Sequence, residues 1–299
     1  MGCWRVRLRP HSQRGAVLLL TVWATATLTG VVVLQAMRVS LQLRWAERTA
    51  EARQARHLAF AGIQALASRL SSDDPSFDSV KEPWAHFPDE PIPWGAGTFR
   101  WTASDEQSRI PVNAAPVSVL SRLPGFSAAA AEELERRRAE GTFLVHLEEL
   151  RTLPGFNLDS LEAFLPLATV HGVGPVNLNT APQPVLTALG FSPGLGQQIE
   201  QFRTGADGLL GSEDDGTFLQ PTAEAVETAL RGFFGAGFAL SPEDRATFAL
   251  LAEQSPPMLG VGSSLFRVEA HGESARHGIR KEVAAVLERS GTIRGWNES

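Results

Sequence analysis

The stretch Gln13–Met37, QRGAVLLLTVWATATLTGVVVLQAM, decides the fold. From Gly15 to Met37 it runs 23 residues without a charge. An uncharged run of that length can cross a bilayer, which needs about 20 apolar residues. Ahead of it stand Arg5, Arg7, Arg9, His11 and Arg14, with no acidic residue. A basic flank stays on the cytoplasmic side, so the rest of the chain is expected outside the cytoplasm. Three readings of the junction compete. A secretory signal peptide would be cut after Ala24-Thr25-Ala26, leaving Val31-Val32-Val33-Leu34 near the new N-terminus. A plain signal anchor would stay uncut. The third reading takes Arg14-Gly15 as the cleavage point itself.

The sequence beyond Met37 favours the third. Arg38 to Leu70 contains no proline and only one glycine, Gly62, and is rich in Ala, Leu, Arg, Gln and Glu, all good helix formers. Glu47 and Glu51 have Arg44, Arg48 and Arg53 within one turn. Leu58, Gly62, Ala65 or Leu66, and Leu70 recur at helical spacing and make one apolar stripe. A single helix over Ala16–Leu70 would be roughly 80 Å long at 1.5 Å per residue.

The remaining bounds are ordinary. The chain has 299 residues, 43% hydrophobic and 20% charged, with net charge −6. A nucleic-acid surface would therefore have to be a local patch. The one cysteine, Cys3, precedes the apolar run, so an exported domain must hold together without an internal disulfide.

A short basic leader ending in Gly, an apolar helix that starts at once, and an amphipathic extension carrying a globular domain resemble the type IV pilin-like proteins. The resemblance implies cleavage by a prepilin peptidase between Gly15 and Ala16, and methylation of the new amine. The family usually has Glu at the fifth mature position, and here that residue is Leu20. A carboxylate in a bilayer is costly and needs a partner. In the family that partner is thought to be the amine of the subunit ahead in the fibre, so a subunit without Glu suits the tip. The departure resembles the minor pseudopilin K of type II secretion (general secretion pathway protein K).

Ser71–Gly97, with five prolines, reads as a long connecting loop. Thr98–Thr102 is strand-like. Asp105-Glu106-Gln107-Ser108 then Arg109-Ile110-Pro111-Val112-Asn113 reads as a turn and an extended piece, and the Asp-Glu-x-x-Arg-Ile-x-x-Asn string resembles the same junction in the K pseudopilins. From the residues alone it is an ordinary hairpin. Adjacent Asp105 and Glu106 point to opposite faces of an extended chain, which suits acid–base pairing poorly, so no catalysis is assigned to them.

An internal repeat follows. Asn113, Ala115, Pro116, Val119, Leu120 and Leu123 match Asn179, Ala181, Pro182, Val185, Leu186 and Leu189. Gly125-Phe126-Ser127 matches Gly190-Phe191-Ser192, and Leu134 and Arg138 match Ile199 and Arg203 at identical spacing. Gly141-Thr142-Phe143-Leu144 is aligned with Gly216-Thr217-Phe218-Leu219. Each copy reads as short helices with Gly-containing turns. Thr180 is expected to cap the helix that holds Val185, Leu186 and Leu189, with Pro182 in its first turn. The pattern resembles the helix-hairpin-helix, or SAM-like, units of the K pseudopilins, and also hairpins that grip DNA phosphates. Against DNA, the second glycine of a phosphate-binding hairpin is replaced in every copy, and Arg122 and Arg136–Arg138 are offset by Glu132, Glu133, Glu135 and Glu140.

The second copy has ten extra residues between Arg203 and Gly216. The insertion carries Asp207, Glu213, Asp214 and Asp215 among three glycines. Calcium takes six to eight oxygens from such a flexible loop, although the spacing is not that of an EF-hand. A solvated acidic loop is the alternative. The resemblance implies calcium, since K pseudopilins hold it in this domain.

A further helix is expected within Ala239–Gly260, capped by Ser241 with Pro242 at its first position and Phe248, Leu250 and Leu251 apolar. Leu265–His271 and Ile279–Leu287 alternate around a Gly272–Gly278 turn and read as a hairpin. Nucleophile elbows, phosphate loops and zinc-protease motifs are missing from the sequence, so no enzyme is expected.

The expected architecture is α+β: a basic leader (1–15), a transmembrane and amphipathic helix (16–70), and a small antiparallel pilin-like sheet (71–112 and 261–290). Into the sheet is inserted an all-α domain (113–260) with repeats at 113–156 and 179–234, and a loose tail (291–299) follows. The resemblance implies a subunit at the pseudopilus tip, needed for pseudopilus assembly and for protein export across the outer membrane. It would be single-pass in the bacterial inner membrane with a periplasmic C-terminal domain. Its partners would be other minor pseudopilins and prepilin peptidase, and no nucleic acid. The competing reading is a membrane-anchored periplasmic DNA receptor.

Overall fold

The computed structural model describes residues 13–298. The leader residues Arg5, Arg7, Arg9 and His11, and Cys3, lie outside them. Two compact units divide the chain at Arg53 and Gln54, and helix α1 (Gln13–Ser71) contributes to both.

In the first unit, α1 exposes its apolar side chains from Val17 to Leu43. It is long and apolar enough to cross a membrane. Its threonines are compatible with that solvent. Thr21, Thr25, Thr27 and Thr29 each donate their hydroxyl to a carbonyl three or four residues back, at 2.8–3.0 Å. Such back-bonding satisfies the hydroxyls inside the helix itself, as hydrocarbon requires.

The second unit contains the end of α1 and, in chain order, β1 (Ile92–Pro93), β2 (Gly97–Asp105), β3 (Ile110–Pro111), α2 (Val117–Leu120), α3 (Ala128–Ala139), α4 (Leu161–Phe164) and β4 (Ala168–Thr169). These are followed by β5 (Val176–Asn177), α5 (Gln183–Leu189), α6 (Pro193–Arg203), α7 (Ala223–Phe234), α8 (Pro242–Glu253), β6 (Leu259–Gly260), β7 (Leu265–Ser274), β8 (Arg280–Glu288) and β9 (Ile293–Glu298). Five strands form one antiparallel sheet in the order β1-β2-β7-β8-β9.

The alternation seen in the sequence buries one face of that sheet. Phe99 and Trp101 of β2, Phe266, Val268 and Ala270 of β7, and Val283, Ala285 and Leu287 of β8 pack on Leu58, Ala59, Ile63, Leu66 and Leu70 of α1. The helix lies unusually close to the sheet. A Cβ at Gly62 would stand 3.0 Å from the Cβ atoms of Ala270 and Trp101, and one at Gly272 would overlap the Ala55 carbonyl. Two expectations are corrected. Three strands were expected and five form, with the β7–β8 turn beginning at Ala275 rather than at Gly272. The tail is not loose: Ile293–Glu298 pairs with β8, and Trp296 stacks on Phe60 at 4.5 Å.

A second core runs from Ile110 to Val261 and is built on the repeat. Each copy closes with a two-residue parallel bridge, β3 on β4 and β5 on β6. The Val112 N–H donates to the Thr169 carbonyl at 2.9 Å, and the Leu178 N–H to the Gly260 carbonyl at 2.8 Å. Arg138 reaches the Ala115 carbonyl at 2.7 Å and Arg203 the Ala181 carbonyl at 2.5 Å. Ser127 and Ser192 cap α3 and α6. Phe126 meets Phe164, and Phe191 meets Phe248, with ring centroids 5.4 and 4.6 Å apart. The copies are thus structurally 110–169 and 176–260, longer than their sequence match.

The structure shifts one part of the repeat alignment by a residue. Asn113 exchanges hydrogen bonds with the backbone of Leu144, and Asn179 does the same with Phe218. Leu144 therefore corresponds to Phe218, both buried, while Val145 and Leu219 are both exposed. Two helix details also differ. The residue capping α5 is Pro182, with Pro184 in the first turn, because Thr180 is committed elsewhere. In α8, capped by Ser241 as expected, Phe248 and Leu251 are buried but Leu250 faces out.

Asn179 is almost fully buried and Asn113 only partly so. Removing a buried polar bridge costs the stranded backbone groups about 1–3 kcal/mol. Asn179→Ala should lower the denaturant midpoint clearly more than Asn113→Ala, measured on the full chain in detergent. Equal shifts would contradict the paired-asparagine account.

Candidate functional site

The chain leaves the sheet at Asp105 and returns at Leu265, and a buried polar seam joins the two cores there. Asp105 ends β2, and a 3₁₀ turn at Glu106–Ser108 follows. Asp105 accepts from Asn177 Nδ2 (2.8 Å), Thr180 Oγ1 (2.5 Å), Ser263 Oγ (2.6 Å) and the Gln107 N–H (2.8 Å). Glu106 points the other way. It accepts both guanidinium arms of Arg267 at 2.9 Å, Arg109 at 2.9 Å and Thr169 Oγ1 at 2.5 Å. Gln107 bonds the Pro175 carbonyl and accepts from the Ser264 amide and hydroxyl. The expected hairpin turn is therefore a three-residue staple. Asp105 fastens the second repeat and the return strand, while Glu106 fastens the end of the first repeat.

The connecting loop enters the same seam. Asp78, wholly buried, accepts from the Ser263 N–H at 2.6 Å and pairs with Arg289. Arg289 also bonds Asp73 and the Leu70 carbonyl and lies over the Phe266 ring. Asn177 Nδ2 donates to the Asp78 carbonyl at 3.0 Å. Asp78, Asn177, Ser263 and Arg289 carried no signal in the sequence, because no local period or motif relates residues this far apart. Burial pushes the Asp78 carboxyl up to about 7, against the pull of the Ser263 amide and Arg289. Burial likewise raises Asp105. At Glu106 burial is outweighed by Arg267, Arg109 and Thr169, and the carboxyl is held below its usual range.

The acidic loop lies beside this seam. The structure brings carboxylate oxygens of Asp207, Asp214 and Asp215 within 4.8 Å of one another. The Glu213 carboxylate is outside that group, and its carbonyl instead accepts from Lys81 Nζ at 2.6 Å. Asp214 accepts from the Ala206 N–H and Ser212 Oγ, each at 2.6 Å. The Ser212 hydroxyl and the Ala206 amide lower its pKa. Asp215 is buried and accepts from the Gly211 N–H at 2.6 Å. Three clustered carboxylates are an all-oxygen donor set that fits a hard divalent cation. Asp73, Asp78 and Glu82 cluster as closely, but there Arg289 supplies the positive charge.

The remaining expected positions are separate from this region. The Gly15–Ala16 bond lies within α1, and the Leu20 side chain is exposed. Three arginines of the first repeat are partnered within the protein. Arg136 pairs with Glu133 and Glu140, Arg137 pairs with Glu133, and Arg138 turns inward to Ala115.

No family model matches the chain, and no curated protein matches it in sequence. A solved structure does. One chain in the crystal structure of the GspK-GspI-GspJ complex from the type 2 secretion system of enterotoxigenic Escherichia coli aligns with a TM-score of 0.58. The two chains share a fold. The match covers 88% of this chain and 99% of that one at 17% identity, so the fold is shared over nearly the whole length while the side chains have diverged.

The seam makes stability depend on pH. Asp78 titrates near 3.8 when unfolded and near 7 when folded. Across that window the folded chain holds a proton that the unfolded chain has released. Its contribution is full below 3.8 and is lost as pH rises toward about 7. Melting temperatures of the wild type should decline over this range more steeply than those of Asp78→Asn. Parallel profiles would show that Asp78 is not the titrating group.

Proposed function

We propose that this chain is a K-type minor pseudopilin of type II secretion, anchored in the inner membrane and placed at the pseudopilus tip with other minor pseudopilins. The observation that carries the reading is the fold: a helix and sheet of pilin type with a large helical insertion, shared along 99% of a chain from the GspK-GspI-GspJ complex. The helix of the first unit is the membrane anchor, with the basic leader cytoplasmic and the second unit periplasmic. The insertion is of the SAM-like, helix-hairpin-helix kind. Its bulk stops a further subunit from stacking above it. Leu20 supports the tip position, since a leading subunit has no amine ahead to pair with a glutamate. The role is structural, in assembly of the pseudopilus and so in export across the outer membrane, and no catalytic step is assigned.

Prepilin peptidase then cuts between Gly15 and Ala16, and the new amine is methylated. Asp207, Asp214 and Asp215 hold a structural calcium ion, whose charge offsets three carboxylates that otherwise repel. The Glu213 carboxylate is left out of this set because it lies outside the cluster of the other three.

Two measurements test this reading. Co-expressed with prepilin peptidase, the chain should have the mass of a product beginning at methylated Ala16. A start at Thr27, or an uncut chain, contradicts the assignment. Chelation of calcium should lower the melting temperature by about 5–10 °C, the effect of removing a saturating ligand from a unit of this size. Asp214→Asn should remove most of that difference. A chelator-insensitive wild type would remove the ion from the account and leave the fold reading intact.

A further inference from the structure

The acidic loop has a second set of contacts that its carboxylates do not make. Lys81 Nζ donates to the carbonyls of Glu213 (2.6 Å) and Asp215 (3.1 Å). His86 Nδ1 lies 2.9 Å from the Glu82 carbonyl and Nε2 3.3 Å from the Gly211 carbonyl; the Nε2–H tautomer donates to Gly211. Gly211, at φ +88°, is in ordinary contact with this segment: a Cβ there would be 3.5 Å from the Val80 carbonyl and 3.6 Å from His86 Nε2. Lys81 and His86 belong to the connecting loop of the pilin-like part, whereas Gly211, Glu213 and Asp215 belong to the second helical repeat. Beneath the contact is a cleft of about 460 Å³ lined by Trp84, Phe87, Asp105, Thr180 and Leu210.

The duplication supplies an internal control. In the first repeat, Arg138 is joined to Gly141 by two residues, and that copy closes its core with the same arginine, asparagine and bridge contacts. The twelve residues 204–215 of the second repeat are therefore not needed to close a repeat. Three of their backbone carbonyls, those of Gly211, Glu213 and Asp215, face another part of the molecule.

We propose that the acidic loop is a strap that ties the helical insertion to the pilin-like part, with Lys81 and His86 as its two fastenings. The strap works through backbone carbonyls and needs no bound cation, so it stands apart from the calcium reading. It restrains the insertion on the 80–86 segment, in addition to the covalent crossings at 105–110 and 260–265 and to the seam around Asp105 and Asp78.

Hydrogen exchange on the full chain in detergent, with chelator present, tests the strap. In Lys81→Met combined with His86→Ala, amides of residues 205–216 and 79–87 should exchange about tenfold faster, while α5, α6, α7 and α8 keep wild-type protection. A shortened chain in which Ala-Glu-Gly replaces residues 204–215, which gives Arg203 and Phe218 the spacing of Arg138 and Leu144, should keep the same four helices protected and show the same loss at residues 79–87. Unchanged exchange at residues 79–87 in both variants would overturn the proposal. Loss of protection in α6 and α7 in the shortened chain would also overturn it, because the loop would then belong to the repeat's own core.

Discussion

Asp105 and Glu106 set the terms for everything packed around them. A buried carboxylate is tolerable only if its lone pairs are filled, and these two adjacent residues are each filled from a different part of the chain. Asp105 takes Asn177, Thr180 and Ser263; Glu106 takes Arg267, Arg109 and Thr169. The two sets are complete together only when the sheet, both repeats and the return segment are in place: Asp105 needs the second repeat and Glu106 the end of the first. The seam thus makes two hydrophobic cores cooperate, although few apolar contacts cross between them. Its energetic sign is mixed, since desolvation opposes the charge on all three buried acids, and only Glu106 has cations enough to reverse that. Such a joint is better suited to fixing geometry than to adding stability.

What was legible in the sequence followed from periodicity and turn chemistry. The uncharged run, the Leu58–Leu70 stripe, the alternating hairpin and the repeat each report a local regularity, and each corresponds to an element or a paired contact in the structure. Asn113 and Asn179 were visible as matched letters before their matched bonds were known. The seam was not legible, because Asp78, Asn177, Ser263 and Arg289 are joined only by tertiary structure. Its one hint was the Asp-Glu-x-x-Arg-Ile-x-x-Asn string, and physics alone reads those letters as a turn. Thr180 shows the same limit in miniature: a good capping residue was drawn away by a stronger acceptor, Asp105. The tail failed for another reason, since a short strand at a sheet edge has too few residues to show a period.

The acidic loop illustrates how a repeat acquires a new role. Both copies keep the contacts that close a core, and only the second carries the extra residues between Arg203 and Gly216. Function in such a pair is expected where the copies differ, not where they agree. The carboxylates of the loop face one another, and several of its carbonyls face Lys81 and His86, so one short segment presents two chemistries on two sides.

The register of the sheet has one more consequence. β2 and β7 are antiparallel neighbours, with Asp105 opposite Phe266, so the strands on either side of the insertion are placed as the two arms of a hairpin. The helical domain occupies the position of a hairpin turn. Closing a loop of about 160 residues costs about 3 kcal/mol more than closing one of four, because the entropy grows only with the logarithm of length. A domain whose two ends already lie side by side reduces even that difference. Topologically, then, the five-stranded sheet takes no strand pairing from the insertion and needs only its two ends to be close, while the buried acids at the junction still take their partners from inside it.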